Sequence, residues 1–97
     1  MVTYSQQADK LLITFTGRLD TARCSALQNE VMAQVNATPL PVVFDLQAVD
    51  FIASSFLRLC LMSLQKLGLE RFSLAHVSPS IRKVFAMAGL DTHIHIE

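Results

Sequence analysis

Two adjacent hydroxyls, Ser54 and Ser55, stand where an apolar strand-like run gives way to helical periodicity. A serine just ahead of a helix can cap it, because its hydroxyl accepts from an amide of the first turn that has no intrahelical partner. Two in a row leave one to cap and one to be presented. A presented hydroxyl at a helix start also suits phosphorylation, since about two negative charges would arrive beside the positive end of the helix dipole. Asp45 and Asp50 flank the pair in sequence, placed to repel a phosphate-bearing partner, to bind a metal or to cap a loop.

Other chemistries lack parts. A nucleophile elbow needs glycines around its serine, yet Ile52-Ala53 precede the pair and Phe56-Leu57 follow it. The histidines, His76, His93 and His95, come late and have no orienting acid at a set spacing, so a serine hydrolase is not expected. His93 and His95 share a strand face and would hold zinc only with a third ligand such as His76 or Asp91; an exposed terminal strand is the simpler reading. Cys24 and Cys60 match no metal spacing and read as buried thiols. Gly17, Gly68 and Gly89 are punctuation and form no phosphate-cradling loop. No cofactor is expected.

These residues need a frame. The 97 residues are 52% hydrophobic and 16% charged, a balance that suits one core-rich domain spanning 1-97. Eight basic and eight acidic residues leave no excess for nucleic acid. No apolar run is long enough to span a membrane, and no basic-apolar leader opens the sequence, so a cytoplasmic location is expected.

Val2 to Gln6 and Leu11 to Thr16 alternate around polar Gln7-Ala8-Asp9-Lys10 and predict an antiparallel hairpin that stops at Gly17. Ala22 to about Asn36 carries a stripe of Cys24, Leu27, Val31 and Val35, with Asp20 or Thr21 as its cap. Val42 to Leu46, continuous but for Asp45, suits a strand covered on both faces. A helix from Ser54 to a stop at Gly68 places Leu57, Cys60, Leu61, Leu64 and Leu67 on one side and Arg58, Gln65 and Lys66 on the other. Leu59 and Met62 project among the polar positions with Ser55, either as a docking surface or under a neighbouring loop or hairpin. Arg71 to Val77 is a strand, Ser78-Pro79 opens a third helix ending at Gly89, and Asp91 to Glu97 is a short strand with Ile94 and Ile96 inward. The alternation predicts an α/β domain with a mixed sheet of four or five strands, an N-terminal hairpin and three main helices.

The order and several motifs resemble the STAS domain, the fold of bacterial anti-sigma factor antagonists. Gly17-Arg18-Leu19-Asp20 is similar to the family's corner before the first helix, VVFDLQAVDFIASS to its central strand and serine pair, and Val77-Ser78-Pro79 through Gly89-Leu90 to its C-terminal part. The family's regulated site is an aspartate, two hydroxyl residues and a glycine, and its second hydroxyl is phosphorylated by an anti-sigma kinase. The resemblance puts that role on Ser55 and leaves Ser54 as the cap, with Ala53 in place of the aspartate and Phe56 in place of the glycine. It implies a regulatory module, not an enzyme, that binds a kinase-type anti-sigma factor through Ser54, Ser55, Phe56, Arg58, Leu59 and Met62. The alternative is an unphosphorylated scaffold subunit of a sensory or transport assembly. Exposed Leu59 and Met62 would also suit a homodimer.

Overall fold

The computed structural model describes residues 2–97. Its strands are β1 (Val2–Gln6), β2 (Leu11–Leu19), β3 (Val42–Ile52), β4 (Phe72–Ala75) and β5 (His95–Ile96), and its helices are α1 (Thr21–Ala37), α2 (Ser54–Leu67) and α3 (Pro79–Met87). The strands lie in one sheet in sequence order. β1 pairs antiparallel with β2, and the other three pairings are parallel. The predicted single α/β domain, with its hairpin, three helices and mixed sheet, is the observed one, and the sheet has five strands.

The local signals explain the boundaries. Asp20 caps α1 by accepting from the Arg23 amide at 2.9 Å. Ser78 caps α3 by accepting from the Ile81 amide at 3.3 Å, with Pro79 in the first turn, where its missing donor costs nothing. Gly68 ends α2 at φ 82°, a backbone region that side chains rarely adopt, and its amide donates to the Leu64 carbonyl at 2.7 Å.

Two strands outrun their predicted ends. β2 continues through Gly17 to Leu19, and β3 continues through the mixed stretch Gln47-Ala48-Val49-Asp50 to Ile52. Both extensions pair with each other, with register shifts between Thr14 and Thr16 and between Gly17 and Arg18. Irregular pairing of this kind lets a strand continue where strict alternation of side chains has failed.

The sheet is also covered differently from expectation. Leu11, Ile13 and Phe15 of β2, Val42, Phe44 and Leu46 of β3, and Phe72 and Leu74 of β4 form one buried face. Cys24, Val31 and Val35 of α1, Phe56, Leu59, Cys60 and Leu67 of α2, and Ile81 and Phe85 of α3 join these residues in a single core. The other face carries Leu12, Thr14, Val43, Asp45 and Ser73, and none of these belongs to that core. Val43 is only 9% exposed because its strand neighbours screen it, with Leu12 and Ser73 directly alongside. The apolar run Val42–Leu46 therefore packs under helices on one face, not two.

At the hairpin edge, the Tyr4 hydroxyl is buried and makes no hydrogen bond of good geometry. Burial first, and then the Glu30 carboxylate of α1, push its pKa up to about 12. The neutral phenol is thus the form that suits the fold. Its contribution is fully present below the unfolded value of about 10 and is lost as pH rises through the folded value. Tyr4 is the only tyrosine in the sequence, so phenolate absorbance reports it directly. The expected titration midpoint lies near pH 12 in the native protein and near ~10 in denaturant; a native midpoint at the denatured value would contradict the placement of Tyr4.

Candidate functional site

The end of β3 delivers Ile52 into the core and then turns at Ala53 into α2. The Ala53 amide donates to the Leu19 carbonyl at 2.9 Å, which ties the helix start to the end of β2. Ala53 is itself the N-cap residue, at φ −94° and ψ 169°, and no side chain caps the first turn. Ser54 is therefore not the cap. It is the first helical residue, and it is exposed.

Ser55 behaves differently from Ser54. Its Oγ is buried and makes no hydrogen bond of good geometry among the described residues. It lies beside Cys24 at the start of α1, whose thiol also sits 3.7 Å from the Leu19 carbonyl. Burial pushes the Cys24 thiol up, and the Ser55 hydroxyl partly offsets that. Cys60, wholly enclosed in the core, is pushed well above the usual thiol range by the same cause. A desolvated hydroxyl without a partner costs about 1–3 kcal/mol. Ser55→Ala is accordingly expected to raise stability by about 1 kcal/mol in urea denaturation, and a loss of similar size would show that the hydroxyl is held after all.

Phe56 and Leu59, expected on the partner-facing surface, are core residues at 0% and 1% exposure. The Phe56 ring meets Phe15 edge-on at 5.2 Å and lies 6.2 Å from Phe44. The buried stripe of α2 is Phe56, Leu59, Cys60, Ser63 and Leu67, while Leu57, Leu61 and Leu64, expected to be inside, are half-buried. Ser63 disguised that stripe. Its hydroxyl is satisfied by the Leu59 carbonyl at 2.9 Å and touches Met32 Sδ at 3.7 Å, so a polar residue sits in the middle of the apolar face. A homodimer surface on Leu59 and Met62 loses Leu59 for the same reason.

Of the partner-facing candidates on α2, Ser54 and Arg58 are exposed and Met62 is half-buried, a ladder at four-residue steps. Beside the helix start, Arg18 stacks on its cross-strand neighbour Phe51, with the guanidinium carbon 3.9 Å from the ring centroid and Phe51 36% exposed. Sequence reasoning missed this pair because Arg18 and Phe51 meet only through the extension of β2 and β3.

Asp45 acts locally. Its Oδ1 accepts from the Gln47 amide at 3.0 Å and lies 3.2 Å from His76 Nδ1, where His76 adopts φ 55°. Asp50 is exposed. His93 Nδ1 pairs with Thr92 Oγ1 at 3.1 Å, and His95 lies in β5. Among the described residues, no three His, Cys, Asp or Glu side chains gather as metal ligands. Among the described residues, no helix is long and apolar enough to cross a membrane.

The family model described as "Mlab, STAS domain" matches residues 2–96. The chain belongs to the STAS family. It is 31% identical over 81 residues to BtrV of Bordetella bronchiseptica, a candidate anti-sigma factor antagonist, which covers 81% of this chain and 70% of BtrV. Among solved structures, an anti-sigma factor antagonist from Mycobacterium paratuberculosis matches with a TM-score of 0.88 and 26% identity, over 99% of this chain and 83% of that one. The antagonist SpoIIAA in its unphosphorylated form matches at 0.81, over 100% of this STAS chain and 88% of SpoIIAA. Its phosphorylated form matches at 0.74, over 100% and 91%. At 20% identity, both SpoIIAA comparisons establish the shared fold alone.

Proposed function

We propose that this STAS domain is a regulatory protein-binding module of the anti-sigma factor antagonist type. It docks a serine-kinase anti-sigma factor against the start of α2, and Ser54, Arg58 and Met62 make the contact. Phosphorylation of Ser55 releases that partner. The observation carrying the reading is the outward ladder of exposed Ser54 and Arg58 and half-buried Met62, which rises from a helix start that no side chain caps. The resemblance of the chain to anti-sigma factor antagonists supports the same assignment.

Ser55 must turn outward to receive phosphate. Inside, its hydroxyl faces only the weakly bonding Cys24 thiol, and a change of staggered rotamer returns it to water. Once phosphorylated it cannot go back, because the inward position lies against buried Cys24. About two negative charges then stand on the docking edge next to Arg58, placed to repel or desolvate a bound partner. In this reading the module does no bond-making chemistry of its own, and the phosphoryl donor belongs to the partner.

The test incubates the chain with a serine-kinase anti-sigma factor from the same genome and ATP, then maps the modified residue by mass spectrometry. Phosphate on Ser55, absent in Ser55→Ala while binding persists, is the expected result. Phosphate on Ser54 alone, or on neither residue while binding persists, would remove the switch.

A scaffold subunit in a sensory or transport assembly is the second reading. The inward Ser55 hydroxyl and the buried Phe56 beside it favour it, because together they describe a helix start held in place by packing. Affinity purification at native expression separates the two readings by whether a kinase or a larger assembly is recovered.

A further inference from the structure

The free edge of β1 presents a second surface, independent of α2 and of any phosphorylation. The Gln7 amide donates to the Lys10 carbonyl at 2.8 Å and closes the hairpin turn. Bonded and non-bonded pairs alternate along an antiparallel ladder. With Gln7–Lys10 bonded, the β1 register makes Ser5–Leu12 and Thr3–Thr14 bonded pairs and leaves Gln6–Leu11, Tyr4–Ile13 and Val2–Phe15 non-bonded. The Leu11 amide agrees, since it turns away from β1 to the Pro41 carbonyl at 2.8 Å. Val2, Tyr4 and Gln6 therefore aim their backbone donors and acceptors out of the sheet.

Edges of this kind normally carry protection such as charge, proline, a bulge or very short length. β5 is protected by length, having only two residues. β1 has none of these devices: its five residues, Val-Thr-Tyr-Ser-Gln, are uncharged and free of proline, and their register with β2 is unbroken.

We propose that β1 pairs antiparallel with β1 of a second copy of this chain, about a two-fold axis at Tyr4. An isologous contact needs a self-complementary strand. Here the three outward-facing residues are spaced symmetrically around Tyr4, so Tyr4 meets Tyr4 of the second copy, Val2 meets Gln6, and about six backbone hydrogen bonds form. Tyr4 facing Tyr4 is also a favourable cross-strand aromatic pair. A neutral strand offers no charge to repel its copy and none to select an acidic or basic partner strand, which favours self-pairing over capture of another segment. The join would make one continuous sheet and leave the start of α2, beyond β3 at the centre of the sheet, open on both copies.

The contact is small, so the dimer is expected to be weak, with a midpoint on the order of 0.1 mM. Sedimentation equilibrium over a concentration series spanning that value should show the mass rising from one chain to two. Amide exchange should show protection of Tyr4 and Gln6 increasing about tenfold across the same series. Gln6→Pro removes an outward donor at a position where an edge strand tolerates proline. It should stay monomeric with its circular dichroism and urea midpoint unchanged. A wild-type chain that remains monomeric throughout overturns the pairing, as does a dimer whose Tyr4 and Gln6 amides exchange as in the monomer. The exchange measurement on the wild-type chain decides the matter even if Gln6→Pro does not fold.

Discussion

Phe56→Gly, which installs the glycine typical of the family's regulated site, is expected to cost about 4 kcal/mol or more of folding stability. Phe56 is fully buried, meets Phe15 edge-on, and closes an aromatic cluster in which Phe44 also touches Phe15 at 5.0 Å and Phe72 at 4.8 Å. Truncating a buried phenylalanine to alanine removes about 3–5 kcal/mol through lost transfer energy and an unfilled cavity. Glycine adds up to about 1 kcal/mol of backbone entropy within a helix. A domain of this size holds only about 5–15 kcal/mol in total. The melting temperature should therefore fall by roughly 15–30 °C, or the protein should be largely unfolded at ambient temperature. A loss below about 1 kcal/mol would mean that Phe56 is not the anchor of the helix start. In this chain the position next to Ser55 serves the core, and the helix start is fixed in place by packing.

The second large effect concerns the outward side of the same helix. Arg58→Glu should weaken binding to the kinase-type partner by about 100-fold, because reversing a charge at a docking edge sets like charges together. Stability should change by no more than about 0.5 kcal/mol, since Arg58 is exposed and makes no ion pair among the described residues. Titration calorimetry and urea denaturation on one preparation separate the two quantities. Unchanged affinity would move the docking surface away from α2, toward the open sheet face or the Arg18–Phe51 pair.

How far the sequence was legible follows from what each residue had to do. Asp20, Ser78 and Pro79 act through their own neighbours, so their caps could be read without knowing the fold. The hairpin and the parallel crossovers followed from strict alternation in Leu11–Thr16 and from the order of elements. The face of α2 was not legible, because Phe56 had to be weighed against Leu57 for burial and Ser63 had to be recognised as a polar residue satisfied by its own helix. The far half of β3 was hidden because Gln47 and Asp50 interrupt the apolar run, and the segment becomes strand only where an irregular register lets it pair with Thr16–Leu19. The single-sided sheet was hidden as well, since Val43 looks like a core residue and is screened by adjacent strands instead of by a helix.

The candidate site was half legible for a related reason. Its location at the β3–α2 junction follows from two serines placed between apolar runs. The direction each serine faces depends on which residue begins the helix, and Ala53, which has no capping group of its own, could not signal that. As a result Ser54 is exposed, the Ser55 hydroxyl is buried, and the proposed docking edge shrinks from six candidates to the ladder of Ser54, Arg58 and Met62, with Ser55 as the proposed switch.

The most direct test of the account compares partner affinity before and after phosphate is placed on Ser55. The unphosphorylated chain and the chain with phosphoserine incorporated at position 55 should each be titrated into the same serine-kinase anti-sigma factor. The account predicts tight binding of the first and at least about a 100-fold weaker association of the second, with both folded by circular dichroism. Equal affinities would contradict it, and would leave the α2 edge as a docking surface without a switch.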